Sequence, residues 1–365
     1  MENNYWIVDE WLIFKPEFNE ELIDYCGIIN NYKKIMFSNY NNPSISIKIN
    51  NEYKKKFFAN YIKNNFNQEI DLLNNINLTH LTFEYNFNKK INLSNNINLT
   101  HLTFRHFNQK IDLSNNINLT HLTLGSKFNQ MIDLSNNINL THLTFGDDFN
   151  KKINLSNNIN LTHLTFENYF NKKIDLLNNV NLTHLTFGWS FNQNIDLSNN
   201  INLTHLTFGK CFNQEMDLSN NINLTHLIFE WSFNQEINLL NNVNLTHLTF
   251  GRCFNQEIDI PLNVKSLNMW YCNDQYMIDN LHNNIEELII YETNLNLDNL
   301  PNSIKKFHIQ WYKKELNNLP NSIEYLELEN YKLKIRKIPK NLKTVKCNKK
   351  YKYINNFNNY EVITY

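Results

Sequence analysis

The dipeptide Phe-Asn begins at Phe66, Phe87, Phe107, Phe128, Phe149, Phe170, Phe191, Phe212, Phe233 and Phe254. The interval is 21 residues at every step except the one of 20 between Phe87 and Phe107. A fixed period of this length leaves few folds open. One unit cannot bury an apolar face alone, so units must stack and share a core.

The unit reads L-T-H-L-T-F-G-x-x-F-N-Q-x-I-D-L-S-N-N-I-N, numbered 1 to 21 from its first leucine. Apolar residues fall at positions 1, 4, 6, 10, 14, 16 and 20. Around positions 4 and 6 they alternate with polar residues, which predicts a short strand with one buried face. Positions 14 and 16 alternate in the same way, and no helical stripe exists anywhere in the unit. Asn and Ser at 17 to 19, and Asn at 11, suit turns. Stacked in parallel about 4.8 Å apart, the leucine, phenylalanine and isoleucine columns fuse into one core. The position-4 column runs on through Leu267, Leu288, Phe307, Leu326 and Val345. The expectation is a β-rich repeat solenoid, a parallel in-register sheet of about 14 short strands capped at both ends.

The pattern L-x-x-L-x-L-x-x-[N/C], occupied by Leu78, Leu81, Phe83 and Asn86 and by Leu203, Leu206, Phe208 and Cys211, is similar to the leucine-rich repeat. The chain more closely resembles the FNIP repeat, a leucine-rich-repeat subfamily of slime moulds and giant DNA viruses. The resemblance is carried by "NLTHLTFGDDFNKKI" (139–153), "NLTHLTFGRCFNQEI" (244–258) and "LPNSI" at 300–304 and 319–323. Most units replace the proline-containing turn with "DLSNNIN". This divides the chain into 1–65, a cap or small adaptor region; 66–258, regular repeats; 259–347, degenerate repeats; and 348–365, a C-terminal cap. Within 1–65, "SISIKI" (44–49) alternates like a strand, and 51–65 has the composition of a helix. The resemblance also implies that an F-box could precede the repeats and recruit a Skp1-type partner of a ubiquitin ligase. "FKPEFNEELIDYC" (14–26) matches that motif poorly.

Composition supports a packed chain: 42% hydrophobic and 13% aromatic residues exceed what disordered chains carry. The 76 asparagines read as a bias shared with AT-rich codons or as turn residues. A net charge of −1 gives no global field for nucleic acid or an acidic membrane. The start "MENNYWIVDEWLIF" lacks a basic n-region, and no apolar run reaches membrane-span length. An intracellular protein is expected, in the host cytoplasm if viral, with five free cysteines and inert N-L-T sequons.

Nine histidines, His80, His101, His121, His142, His163, His184, His205, His226 and His247, share position 3. A straight column lacks the convergent third ligand that zinc needs, so they are expected to form a stacked neutral ladder with depressed pKa values. Cys211, Cys253 and Cys272 share position 9 and are expected to be buried structural thiols. Glycine at position 7 alternates with Glu and Arg and so reads as convenience. No nucleophile, base and orienter stand out from the repeat, so no enzyme, cofactor or metal site is expected. A binding role would lie in what varies, at positions 7 to 9 and their continuation: Tyr85, Arg105, Trp189, Trp231, Arg252, Trp270, Tyr271, Trp311 and Tyr312. Trp, Tyr and Arg are the residue types of interface hot spots. The expected function is therefore a protein-interaction scaffold. The basic stretch 332–352, with ten Lys or Arg, and the tyrosines interleaved over 348–365 offer nucleic-acid binding as the less favoured alternative.

Overall fold

A computed structural model describes residues 4–18, 20, 25–38, 66–84, 86–272 and 274–365. The "SISIKI" stretch, the helix expected over 51–65 and Tyr85 lie outside the described residues. The chain divides into two compact units, Met1–Gly188 and Trp189–Tyr365. Among the described residues no helix is long and apolar enough to cross a membrane.

The first unit contains β1 (Tyr5–Val8), β2 (Trp11–Phe14), β3 (Lys34–Phe37), β4 (His80–Phe83), β5 (His101–Phe104), β6 (His121–Leu124), β7 (His142–Phe145), β8 (His163–Phe166) and β9 (His184–Phe187). From β2 onward every pair is parallel and in register, so that His80 lies beside His101 and Leu81 beside Leu102. The second unit contains β10 (His205–Phe208), β11 (His226–Phe229), β12 (His247–Phe250), β13 (Ser266–Cys272), β14 (Glu287–Thr293), β15 (Lys306–Gln310), β16 (Tyr325–Glu329), β17 (Thr344–Cys347) and β18 (Glu361–Thr364), again parallel and in register. The only described helices are single turns, α1 (Cys26–Ile29), α2 (Gln275–Asp279) and a 3-10 turn at Ile354–Phe357.

The fold is the expected parallel solenoid, but its strands reach further than the repeat frame. The segments W-L-I-F (11–14) and K-I-M-F (34–37) place apolar residues at positions 4 and 6 like H-L-T-F. Phe14, Phe37 and Phe83 accordingly stack in one column, with centroids 4.8 and 5.0 Å apart. Their spacing departs from 21, which hides them from a period search. β1 folds back antiparallel on β2. Trp6 and Val8 there pack on Trp11, Ile13 and Met36, which are buried on the sheet's second face. At the other end, β18 adds a parallel strand inside the stretch read as a cap.

Two phenylalanine columns fill the core. Position 6 and position 10 interleave, with Phe83–Phe87 at 3.9 Å and Phe83–Phe104 at 5.4 Å, and Phe145, Phe149, Phe166 and Phe170 repeat the arrangement. Position 20 departs from expectation. Ile97, Ile117, Ile138 and Ile159 are about half exposed, whereas the asparagine before each is fully buried. Two consecutive turns, at positions 17–18 and 20–21, leave position 19 alone pointing inward. Asn96 there donates its side-chain amide to Leu72 O (2.9 Å) and Asn75 O (2.8 Å) of the preceding coil.

Other asparagine columns do related work. Position 21 donates to position 20 of the preceding coil, as Asn98 does to Ile76 O (2.9 Å). Position 11 accepts from the next coil, as Asn88 Oδ1 does from Asn108 N–H (2.8 Å). Position 15 closes its own turn, with Asp112 Oδ1 accepting from Ser114 N–H (2.9 Å). The two carbonyls that Asn96 reaches each also accept a turn N–H of their own coil, Asn75 N–H on Leu72 O and Leu78 N–H on Asn75 O, so the side-chain amide is a second donor that ties one coil to the next. The asparagine excess is thus a structural requirement of this solenoid, beyond any codon bias.

Candidate functional site

The repeated histidines project from the sheet face opposite the phenylalanine core. In the first unit the His80–His101 rings stack at 4.1 Å and 8°, and the steps through His121, His142, His163 and His184 are each 4.2 Å. In the second unit His205–His226 and His226–His247 stack at 4.3 and 4.1 Å. Trp11 closes the first run edge-on against His80, 5.7 Å away. The hydrogen-bond network assigns the tautomer. Thr100 Oγ1 donates its single hydrogen to Thr79 O at 3.0 Å, so the 2.9 Å contact with His101 Nδ1 requires Nδ1–H to be the donor. The same pair recurs at His121, His142 and His163. Burial, more than repulsion between rings, holds His80, His101 and His121 down to about 4, and it also lowers His142 and His226. Neutral, parallel lone pairs do not converge on a common point.

The position 7–9 edge is less uniform than the sequence suggests. Arg105 is no exposed contact residue: its Nε sits 2.7 Å from Glu84 Oε2, which is buried. Tyr312 is only 3% exposed and donates its hydroxyl to Leu295 O at 3.0 Å. The phenylalanine of position 10 ends at Phe254, and Tyr312, Tyr331 and Tyr351 form a buried column in the last coils, the first two stacked at 17° and the third tilted by 38°. This also removes Tyr331 and Tyr351 from any base-stacking surface. Cys253 is exposed and Cys211 half-buried, contrary to the expected buried thiols. At this position the main chain bonds the previous coil, Cys253 N–H to Trp231 O at 2.8 Å, and the side chain is left at the rim. Among the described thiols the buried one is Cys347, which replaces phenylalanine at position 6 and whose pKa burial pushes up.

Four tryptophans of the second unit remain exposed: Trp189, Trp231, Trp270 and Trp311. Lys210 Nζ lies 3.9 Å over the Trp189 ring, and the Arg252 guanidinium 5.2 Å over Trp231. Trp231 and Trp270 approach to 6.1 Å although β12 separates their strands. The residue between them at position 7 is Gly251, which has no side chain to intervene. Trp270 then stacks on Tyr291 at 4.4 Å and 19°, and Tyr291 meets His308 edge-on at 5.5 Å. Tyr271 beside them is half-buried. Trp311 holds φ at 54° with its ring about half exposed.

The same strip leads to residues that the sequence reading passed over. From β13 onward the His/Thr pattern of the open face breaks down. Position 3 becomes Ser266, Glu287, Lys306 and Tyr325, and position 5 becomes Asn268, Ile289, His308, Glu327 and Lys346. Lys346 Nζ pairs with Glu327 Oε1 at 2.8 Å, Gln310 Nε2 donates to Glu329 Oε1 at 2.7 Å, and His308 Nε2 is 3.5 Å from Glu329 Oε2. Burial raises the Tyr291 phenol, and the Glu329 and Glu327 carboxylates add to the shift. Loss of the consensus at positions 3 and 5 was the available signal; attention to positions 7–9 alone missed it.

Solved structures identify the architecture. CroV588, a circular LRR protein of a giant virus, is 31% identical, with 94% of this chain and 60% of that chain covered and a TM-score of 0.63. The fold is a leucine-rich-repeat solenoid. InlJ of Listeria monocytogenes, whose functional domain includes a cysteine ladder, shares it at 19% identity over 78% of this chain and 68% of its own, with a TM-score of 0.50. The internalin InlF of the same organism shares it at 17% identity over 87% and 96%, also at 0.50. This chain spans 60% of the length of CroV588. No family profile matches the sequence, and no curated protein is similar to it. In leucine-rich-repeat terms, the histidine and threonine rows lie on the strand face that also carries His308 and Glu327.

Proposed function

We propose that this leucine-rich-repeat solenoid is a non-enzymatic protein-interaction scaffold whose partner docks on the aromatic strip of the second unit. The observation that carries this reading is the continuous run Trp231, Trp270, Tyr291, flanked by Arg252. Large aromatic rings beside arginine are the groups that dominate binding energy at interfaces. The strip also differs from coil to coil, as specific recognition requires. The half-exposed isoleucine row of position 20 does not. A partner displaced by one coil there would meet the same side chains, so the row fixes no register.

Within the leucine-rich repeats, the recurring "LTHLTFG" with Phe-Asn supports placement in the FNIP subfamily. A Skp1-type adaptor role would need helices near residues 14–26, yet Phe14 ends β2 and stacks on Phe37 within the sheet. Nucleic-acid binding through the C-terminus loses Tyr351, which is buried, as a stacking platform. Three of its ten cations are also paired with carboxylates, Lys343 with Glu324 at 2.6 Å, Lys346 with Glu327 at 2.8 Å and Arg336 with Glu315 at 3.1 Å.

The test is affinity capture with the intact chain, its Trp231→Ala/Trp270→Ala variant and a Tyr276→Ala control at an exposed residue away from the strip. The double variant is expected to lose its partner by about 30-fold or more in affinity, the control to keep it. Equal capture by all three would overturn the reading.

A further inference from the structure

We propose that His308, Glu327 and Glu329 bind one divalent first-row transition-metal ion on the open face of the second unit. The three come together because the sheet is in register. His308 on β15 pairs directly with Glu327 on β16, and Glu329 follows two residues later on the same face. One ligand atom from each lies within 4.8 Å of the other two. Ligands at about 2.0–2.2 Å from a shared ion lie on the order of 3 Å apart, so small side-chain rotations close the site.

Independent features point to a ligand rather than to an ordinary surface ion pair. The Nε2 atom of His308 is buried and, among the described residues, makes no hydrogen bond. Its contact with Glu329 Oε2 is 3.5 Å long. A buried ring nitrogen without a partner is costly unless something completes it. The carboxylates are already held from outside: Glu327 by Lys346 Nζ (2.8 Å) and the Tyr325 hydroxyl (3.2 Å), Glu329 by Gln310 Nε2 (2.7 Å). Outer hydrogen bonds of this kind orient metal ligands and tune their affinity. Two carboxylates set against one ammonium leave a net negative site, suited to a divalent cation. A pocket of about 300 Å³, lined by His308, Glu327, Lys306 and Tyr325 among others, opens beside the group. It leaves room for water or a bound anion to complete the coordination. One imidazole with two carboxylates favours zinc, manganese, cobalt or ferrous iron over calcium.

The repeated histidines set the control that any experiment needs, because they offer many weaker single-nitrogen contacts. The full chain should be titrated with Co(II), followed by visible absorption, and with Zn(II) by calorimetry, alongside His308→Ala and Glu329→Gln. Glu329→Gln keeps side-chain volume, and circular dichroism confirms that each variant is folded. The expected result is one saturable equivalent in the wild type, with affinity lowered by roughly 10-fold or more in both variants. Either of two results overturns the proposal: no saturable equivalent, or binding unchanged in the folded variants, which would assign the ions to the histidine rows.

Discussion

The side-chain amide of Asn158 donates to the main-chain carbonyl of Asn137, its own counterpart one coil earlier, at 2.9 Å. Its second hydrogen goes to Leu134 O, also at 2.9 Å. Both bonds are buried, and each carbonyl also accepts a turn N–H, Leu140 N–H on Asn137 O at 3.1 Å and Asn137 N–H on Leu134 O at 3.0 Å, so removing the amide takes away the inter-coil donor of each and keeps the local one. Asn158→Leu is expected to cost roughly 1–3 kcal/mol, at about 0.5–1.5 kcal/mol for each buried hydrogen bond lost. Asn160→Ala, which removes an exposed bond to Ile138 O, should cost about 1 kcal/mol or less. Urea midpoints of the two variants measure the difference, and equal midpoints would contradict the role given to the inner asparagine column.

The stacked histidines make stability depend on pH. His80, His101 and His121 have folded-state pKa values of about 4, well below the ordinary 6.5, chiefly because burial disfavours the charged ring. The unfolded chain therefore binds protons first. Stability contributed by these groups is complete above about pH 7 and is lost as pH falls from 6.5 toward 4. Allowing for solvent screening of half-buried rings, the loss at pH 5 is on the order of 1 kcal/mol per ring. A melting temperature that falls by several degrees between pH 7.5 and 5 is expected, and replacing His101 and His121 by Asn should flatten the profile.

Where position 7 is glycine, close packing of that coil, not backbone conformation, keeps it so. No glycine has positive φ among the described residues. A Cβ on Gly146 would instead lie far inside contact with the main chain of Gly125 and Ser126. The N–H bond of Gly146 to Leu124 O is 2.6 Å, against 2.9 Å for Glu167 to Phe145 O, so glycine draws its coil closer. Gly146→Ala is expected to cost at least about 1–3 kcal/mol because backbone must move. Met131→Ala, at a residue 75% exposed, should change stability by less than about 0.5 kcal/mol. Comparison of their unfolding midpoints decides the point.

What was legible in the sequence was whatever recurs on one face. Leu81, Phe83, Phe87 and Leu93 announce their burial by spacing alone, and all are buried. Asn96 and Ile97 are the instructive pair, because hydropathy assigns the isoleucine inward and the turn geometry reverses them. No hydrophobic pattern can show that a carbonyl at a coil corner takes a second donor from the next coil. Likewise the W-L-I-F and K-I-M-F strands carry apolar residues at positions 4 and 6, but at the wrong distance and without the polar partner at position 5. The His308, Glu327 and Glu329 group was hidden for a third reason. Its members are scattered by 19 and two residues, and only the in-register pairing of β15 with β16 brings them together.

Trp311 occupies a backbone conformation that suits its neighbour better. Its φ of 54° is matched by Asn330 at 56°, one coil later in the same frame position. Asparagine tolerates the left-handed region, whereas a bulky residue there costs on the order of 1 kcal/mol. Trp311→Asn is therefore expected to raise the urea midpoint by an amount equivalent to about 1 kcal/mol. If the exposed ring contributes to docking, the same variant will capture less partner while being more stable. A loss of stability would show that ring packing outweighs the backbone strain.

Glu84 and Arg105 supply the sharpest electrostatic test. Burial raises the Glu84 carboxyl pKa, and the Arg105 guanidinium, 2.7 Å away, only partly offsets that shift. The pair is thus held against a desolvation cost, and each member depends on the other. Arg105→Met alone strands a buried acid and is expected to cost about 3–5 kcal/mol. Adding Glu84→Gln to it should recover a substantial part, since the stranded acid is gone and a neutral amide remains. The sign of the pH dependence follows from the raised carboxyl. In Arg105→Met the unfolded chain ionises Glu84 more readily than the folded one, so the variant should gain stability as pH falls from 7 toward 4.5, apart from the opposing histidine effect. Measuring the wild type, both single variants and the double at pH 7 and 5 separates the two contributions, because the histidine term cancels within the cycle. A cycle with no coupling between residues 84 and 105 would mean that the ion pair contributes nothing beyond what water would supply.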